Sequence, residues 1–590
     1  MPRLFNFFAV IIIASAVILA VASVWNDSPI VDEIPHIGAG YSYIVKGDYR
    51  LNPEHPPLAK DLAGLALLTA RLNQDVFETS FWNNGINDQQ WNFGRQLIFN
   101  FGNDAIKLVR TAKLPMLLFF ILSAVIVFFW TKKLYGYSAA LIALFLFAFS
   151  PTVMAHSRFV TTDIPALFGV LFATYFFIGF LKNTTRKNFL LALFAFGVAQ
   201  LTKFSAFLLV PFFAILALSW ALTQKEKLTG LIKCIFLAGA VIAAGYIFVV
   251  WPVYALHTKN YPPEKQRQDT VFHLISYGNR KVADPVVWAS DKSFIRPLAQ
   301  YGLGLLMVTQ RSVGGNTAYF LGEVKNVAWK KYFPIVYFIK EPLAFWGLAL
   351  IVLLAISAQV NFLKLKVKSF ADWLKNHFTE FAMLLWLVIY WYSSLKANLN
   401  IGVRHLLPTY GFVYILVSGQ VVRLVQSLKS KVQNKKFIYI LYFLFFTLVG
   451  WYLYENIKTY PYYLTYFNQT VGGPAGGHNY VVDSNLDWGQ DLRRLGDWIE
   501  QNNISKINLD YFGWADPYYY LKDKYVWMSA GKYKSAEDFL KEYLEGGYIA
   551  VSASFLMGTS KQPIDNYLWL NSYQPVTIIG NSIFVWRITK

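Results

Sequence analysis

Residues 114–131 read LPMLLFFILSAVIVFFWT, and Lys132-Lys133 follows at once. As an α-helix this charge-free stretch reaches across a hydrocarbon core of about 30 Å. A helix on the surface of a soluble protein would carry a broad polar face; this one offers only Ser123 and Thr131. Working outward, comparable apolar runs lie near 4–25, 138–154, 164–181, 188–202, 204–222, 232–252, 342–360, 379–395, 406–422 and 437–454. The reading is therefore an α-helical polytopic membrane protein with about eleven spanning helices. Composition agrees: of 590 residues, 55% are hydrophobic and 15% charged, against about 25% charge in an ordinary globular domain. Lys203 splits the runs 188–202 and 204–222, so that pair could instead be a re-entrant element. Ala20-Val21-Ala22 looks like a signal-peptidase site, but the first run is long for a cleaved leader and is expected to stay as an anchor.

The net charge is +20. A basic balance can mark a nucleic-acid binder, but its distribution here is that of membrane topology. Residues 455–590 hold 12 Lys+Arg and 14 Asp+Glu, a net of −2, so the preceding 454 carry +22. Basic clusters stand at Lys132-Lys133, Lys182/Arg186/Lys187, Lys225/Lys227/Lys233, Lys364/Lys366/Lys368/Lys375 and Arg423/Lys429/Lys431/Lys435/Lys436, in every second loop. The positive-inside rule puts these loops and the N-terminus in the cytoplasm, and the C-terminal part outside the plasma (inner) membrane. The bilayer is the expected partner, and nucleic acid is not. The single cysteine, Cys234, has no partner for a disulfide or a zinc site and reads as a small buried hydrophobe.

Residues 1–455 form the expected transmembrane domain, with a first outside loop at 26–113 and a second at 253–341. Both are long and aromatic, which fits segments lying at the membrane surface. Residues 456–590 read as a small extracytoplasmic α/β domain. NYVVDSN, KINLDYFG, YIAVSAS and SIFVWRI look like strands, and GQDLRRLGDWIEQN and SAEDFLKEYLEG like amphipathic helices between them. No internal repeat or low-complexity segment is present.

Ionisable residues beside a membrane helix are costly unless they serve a purpose. Asp32-Glu33 follows the first helix, and Asn52-Pro53-Glu54-His55-Pro56-Pro57-Leu58-Ala59-Lys60 makes a rigid polar turn. Each could equally be a loop cap. His156-Ser157-Arg158-Phe159-Val160-Thr161-Thr162-Asp163-Ile164-Pro165 occupies the next outside loop. Capping explains the threonines and the proline, but not an Arg and an Asp together at a membrane surface. Lys203 and Arg404-His405 add cations, which either snorkel or hold a lipid phosphate. Such a set suits cations on the phosphate of a lipid-linked donor and a carboxylate that deprotonates an acceptor hydroxyl.

DEIPHIGAGYSYIVKGDYRLNPEHPPLAK resembles the first outside loop of the protein O-mannosyltransferases and their bacterial relatives, including the lipid A aminoarabinose transferases. These are GT-C-type glycosyltransferases that use polyprenyl-phosphate sugars. SRFVTTDIP, LTKFSA and GVRHLLP resemble later family positions, in order, over roughly 1–425. The resemblance implies an inverting transferase moving a hexosyl or pentosyl group to a protein hydroxyl or glycolipid outside the cytoplasm, with no covalent sugar–enzyme intermediate. It implies Asp32 as catalytic base, with Glu33 supporting it or orienting the loop, and Asp163 and Arg158 near the sugar. Lys203 and Arg404, with His405, would hold the phosphate. Glu54, His55 and Lys60 would belong to the substrate turn, where His55 stands in place of the aminoarabinose transferases' Lys. The 253–341 loop is too short for the β-trefoil repeats of the eukaryotic enzymes, and no WWD-type motif of oligosaccharyltransferases is present. No cofactor is required. Glu54 with His257 or His273 could bind a divalent metal, but the spacing is no recognisable ligand motif. Two other readings stay open. One is a transporter or flippase, which would need midplane charges and paired broken helices. The other makes the tail a sugar- or cation-binding module at Asp483, Asp487, Trp488 and Asp491, against Asp487 as a helix cap and Trp488 as packing.

Overall fold

The structure, a computed structural model, describes residues 2–84, 86, 89–224, 227–359, 368–431, 435–559 and 564–590. Lys225, Lys364 and Lys366 of the basic loops lie outside the described residues. Among the described residues, eight helices are long and apolar enough to cross a membrane: Pro2–Val24, Ala105–Tyr135, Asp163–Lys182, Phe204–Ala221, Leu228–Thr258, Phe378–Lys396, Val403–Lys429 and Tyr439–Thr459. Tyr332–Lys340 and Leu343–Leu354, bent by 110° on each other, make a ninth if counted as one broken span. The other two expected runs are helical but shorter: Tyr137–Ala148 has 12 residues and Arg186–Gln200 has 15.

Each shortening has a local cause. In 138–154, Ser150 accepts the Val153 N–H and Pro151 opens a new short helix, Pro151–His156. The run 188–202 stops because Lys203 leaves the helix, and its Nζ meets Asp163 Oδ1 at 2.6 Å. Asp163 opens helix Asp163–Lys182, along which Arg186–Gln200 packs. The chain therefore returns to the level it left, and Arg186–Gln200 crosses the bundle. The bend after Lys340 is satisfied by polar partners, as a broken helix at membrane depth requires. Lys340 Nζ donates to the carbonyls of Leu464 and Asn485, and Glu341 accepts from the Tyr414 hydroxyl at 3.0 Å.

Asp163–Lys182 is the central helix, buried along nearly its whole length. Pro2–Val24 is peripheral. It turns Leu4, Phe7 and Ile18 outward and sets the small face Ala9, Ala16 and Ala20 against Tyr137–Ala148, the kind of contact that lets helices approach closely in lipid. The loop 26–113 folds into short helices, of which Glu33–Lys46, Leu58–Leu67 and Gln89–Phe99 pack together. Gly40 lies against the Lys60 carbonyl and Gly64 against the Gly40 carbonyl, so a Cβ at either would strike backbone. That crossing fixes the 52–57 turn beside the start of helix Glu33–Lys46. The loop 253–341 is also largely helical (Pro263–Leu274, Arg280–Ala289, Arg296–Gly314), with a hairpin of β1 (Ala318–Phe320) and β2 (Glu323–Lys325).

The C-terminal part holds a five-stranded sheet of β3 (Ile507–Asp510), β4 (Tyr525–Trp527), β5 (Gly547–Ser552), β6 (Thr577–Ile579) and β7 (Ile583–Ile588), in the order β4-β3-β5-β7-β6. β3 runs parallel to β4 and β5, and β7 antiparallel to β5 and β6. Helices Leu492–Gln501 and Ala536–Glu542 accompany it. Three of the four expected strands form. NYVVDSN does not: it is a loop with a single bridge from Val481 to Phe320. Asp483 takes a left-handed φ of 56°, and Asn485 spends its side chain on the Val403 N–H; neither fits a ladder.

Candidate active site

A cavity of about 430 Å³ opens at the end of the bundle where helix Asp163–Lys182 begins. The first loop supplies Asp32, His36, Glu54 and His55 to its wall. Lys203, Arg311 and the adjacent pair Arg404-His405 come from three further places in the chain, and Asp483, Trp488 and Trp514 from the C-terminal part. Of the residues expected at a site, Asp32, Glu54, His55, Lys203, Arg404 and His405 line this space, and Asp163 reaches it through its two cations.

Arg404 is the hub. Its Nη1 lies 2.7 Å from Asp32 Oδ2 and 3.5 Å from Asp163 Oδ2, so one guanidinium is bracketed by two carboxylates. Lys203 holds the other Asp163 oxygen at 2.6 Å. From below, Arg404 Nε donates to Ser484 Oγ at 3.1 Å, and its guanidinium lies 4.1 Å above the Trp488 ring. Asn485 Oδ1 accepts the neighbouring Val403 N–H at 2.9 Å. The loop around Ser484 is thus a clamp on Arg404, and it is held in turn by Lys340 through the Asn485 carbonyl at 2.7 Å. Burial pushes the Asp483 carboxyl up to about 6.

His36 lies one helical turn after Asp32. Its Nδ1 is 2.7 Å from the Val160 carbonyl; a carbonyl only accepts, so Nδ1 carries the proton. Burial lowers its pKa to about 4 despite the pull of Asp32, leaving Nε2 an acceptor. The His55 ring packs edge-on against it at 4.9 Å, and burial pushes His55 well down as well. Glu54 lies 3.4 Å from Arg311. Asn52, at a left-handed φ of 50°, shapes the turn; it and Asp483 are the kind of off-region residues that collect at functional sites. At the mouth, Trp91 stacks on Trp514 at 5.1 Å, and Arg95 meets Asp516 at 3.3 Å.

Three expected site residues stand off this cavity. Glu33 is fully buried, pairs with Lys113 at 3.1 Å, and accepts the N–H groups of Ile30 and Val160 at 3.0 Å each. It ties the first loop to the 156–165 loop behind Asp32. Lys60, also fully buried, donates to Tyr43 Oη, Asn52 O, Asn52 Oδ1 and the His55 carbonyl within 3.0 Å. It pins the 52–56 turn from inside, and burial among neutral acceptors lowers its pKa well below the usual range. Arg158 does not line the cavity: it bonds Asp27 at 2.6 Å, and Asp27 also bonds Arg494 at 2.5 Å. In the tail, Asp487 accepts the Ser554 N–H at 2.9 Å and Asp491 the Ser582 hydroxyl at 2.6 Å. Asp487 is a tie between loop and sheet, not a helix cap, and Trp488 packs beneath Arg404. Glu54 and His257 do not converge, because His257 Nε2 bonds Asp61 at 2.7 Å. Among the described residues no group of three or more His, Cys, Asp or Glu is placed to hold a metal.

Arg311, His36 and the Ser484-Asn485 clamp are residues of this cavity and its support that the sequence did not single out, whereas Asp483 was singled out only as part of a binding module in the tail. His36 had a signal, since it stands four residues after Asp32 on one helix face. Arg311 and the clamp had none, because their partners lie more than seventy positions away.

Residues 99–251, which include Arg158, Asp163 and Lys203, match the family model described as dolichyl-phosphate-mannose-protein mannosyltransferase. Among solved structures, ArnT from Cupriavidus metallidurans bound to undecaprenyl phosphate is 11% identical, with a TM-score of 0.47 over 98% of each chain. The Pmt1-Pmt2 protein O-mannosyltransferase complex of S. cerevisiae, bound to the sugar donor, is 20% identical with a TM-score of 0.33, over 43% of this chain and 34% of that one. The oligosaccharyltransferase of Archaeoglobus fulgidus in its apo form is 12% identical with a TM-score of 0.45, over 93% of this chain and 70% of that one. No curated sequence matches the chain. The family match and the motif resemblance agree on one class, the GT-C glycosyltransferases.

Proposed function

We propose that the chain transfers a sugar from a polyprenyl-phosphate donor to an acceptor hydroxyl, of a protein or a glycolipid, at the cavity end of the bundle. The charge pattern puts that end outside the cytoplasm. The observation that carries the reading is one cavity in which the carboxylate of Asp32 faces the cations Lys203, Arg404 and Arg311. Residues 1–455 hold the chemistry, and residues 456–590 close one wall.

Asp32 acts as the base. It takes the acceptor's O–H proton while the acceptor oxygen bonds the anomeric carbon from the face opposite the phosphate. The bond from that carbon to the phosphate oxygen breaks, and its electron pair leaves with the lipid phosphate. Lys203 and Arg404 meet the charge that develops there, Arg404 as a planar fork and Lys203 as a point charge. Asp163 keeps both cations aimed. Phe204, Leu208 and Leu305 give the cavity an apolar flank suited to the start of the prenyl chain. Arg404 is shared between roles: a guanidinium that turns to a phosphate loosens its hold on Asp32. Donor binding thereby frees the base, and the acceptor is activated only beside a bound donor.

The test is Asp32→Asn in the purified full chain, assayed for transfer from a polyprenyl-phosphate sugar. The expected loss is about 10²- to 10⁴-fold with an unchanged unfolding temperature. A wild-type rate in a folded variant would remove Asp32 as base.

A further inference from the structure

Lys113, which holds Glu33 from behind, also lines a second cavity. This groove, of about 310 Å³, runs between the end of helix Pro2–Val24 and helix Ala105–Tyr135. Its floor is apolar, with Ala20, Val21, Val24 and Leu117. Its upper end is cationic. Arg110 donates to the Trp25 carbonyl through Nε at 3.2 Å and Nη2 at 2.7 Å, and Arg493 donates to the same oxygen at 3.0 Å. The exposed Lys107 lines the same end. Among the described residues, none of these three cations is ion-paired with a carboxylate. Asp104, the one carboxylate lining the groove, is occupied as a helix cap on the Lys107 N–H at 3.1 Å.

Two guanidiniums on one neutral oxygen repel each other, and a carbonyl does not neutralise them. A phosphate would, and the guanidinium fork fits its oxygens. The level in the membrane is given by Trp25, which stands half-exposed at the end of a lipid-facing helix with Arg110 3.7 Å above its ring; such tryptophans mark the headgroup layer. We infer that this groove binds a membrane phospholipid of anionic headgroup. Its phosphate sits at Arg110, Arg493 and Lys107, and one acyl chain lies on Val21, Val24 and Leu117. The site is separate from the transferase cavity and does not depend on the transferase reading. It sits behind the Asp32-Glu33 turn, where an occupant would brace Lys113.

The full chain reconstituted in bilayers of phosphatidylcholine with one-fifth phosphatidylglycerol, then extracted and weighed by native mass spectrometry, tests this. The wild-type chain should retain phosphatidylglycerol over phosphatidylcholine by at least fivefold beyond its share of the bilayer. Lys107→Gln, on an exposed side chain, should halve that preference, and Arg110→Gln with Arg493→Gln should abolish it. Val21→Trp, which fills the floor and keeps every charge, should abolish it as well. Excess inorganic phosphate should not displace the lipid. Equal retention by wild type and the well-folded Lys107→Gln and Val21→Trp variants, or displacement by phosphate alone, would overturn the inference.

Discussion

Asp32 and Glu33 are neighbours in the chain and face opposite ways. Asp32 looks into the cavity, and Glu33 looks back onto Lys113 and two backbone N–H groups. Their substitutions should therefore separate. Removing one partner of a buried ion pair leaves the other unpaired and costs about 3–5 kcal/mol. Glu33→Gln and Lys113→Met should each lower the unfolding temperature sharply, and the double variant should recover part of that loss. Thermal unfolding in detergent reads this, and a Glu33→Gln chain as stable as wild type would contradict the role. The same distinction explains which site residues were legible. A sequence displays charge near a membrane but not its partner. Asp32, Lys203 and Arg404 are paired too, but with one another and with Asp163 at the cavity wall, where the sequence reading places a site. Lys60 spends its ammonium on carbonyls and Arg158 its guanidinium on Asp27, and neither partner announces itself in the sequence.

Among elements, the loop 482–488 matters most. Its first residues belong to NYVVDSN (479–485), which reads as a strand, yet polar side chains fold them into a clamp under Arg404. A lost buried hydrogen bond is worth about 1–3 kcal/mol. Asn485→Ala should then raise KM for the polyprenyl-phosphate donor about tenfold, with KM for the acceptor nearly unchanged. Asn485→Asp, which keeps an oxygen for the Val403 N–H, should recover much of the donor affinity. An equal rise in both constants would mean that the loop supports general stability and does not position Arg404. The spanning helices were legible for the opposite reason: their signal is a local run of apolar residues. What blurred them was also local, namely Ser150-Pro151 and Lys203, which end helices inside otherwise apolar stretches.

At the scale of the whole molecule, the membrane part and the sheet are joined through buried carboxylates. Ser28 and Val31 bond the backbone of Gln490 and Trp488, and Asp487 joins that segment to Ser554 beside β5. Burial pushes the Asp487 carboxyl up to about 8, so the folded chain binds this proton more tightly than the unfolded one. Its contribution is complete below about pH 4 and is lost as pH rises through about 8. The unfolding temperature should fall between about pH 4 and pH 8. Asp487→Asn, which keeps an oxygen for the Ser554 N–H, should flatten that slope. An identical slope in the variant would remove Asp487 as its source.

The Trp91–Trp514 stack and the Arg95–Asp516 pair have a consequence for traffic through the mouth. They are the clasp between the first loop and the sheet, and each is worth on the order of 1 kcal/mol. On the far side the same two parts are riveted by Asp27 between Arg158 and Arg494, with Asp27 and Arg158 buried and Arg494 partly so. A seam with a light latch on one edge and a strong hinge on the other swings instead of separating. The Trp91–Trp514 edge is therefore where the seam should part first, while Arg404 and its clamp stay in register.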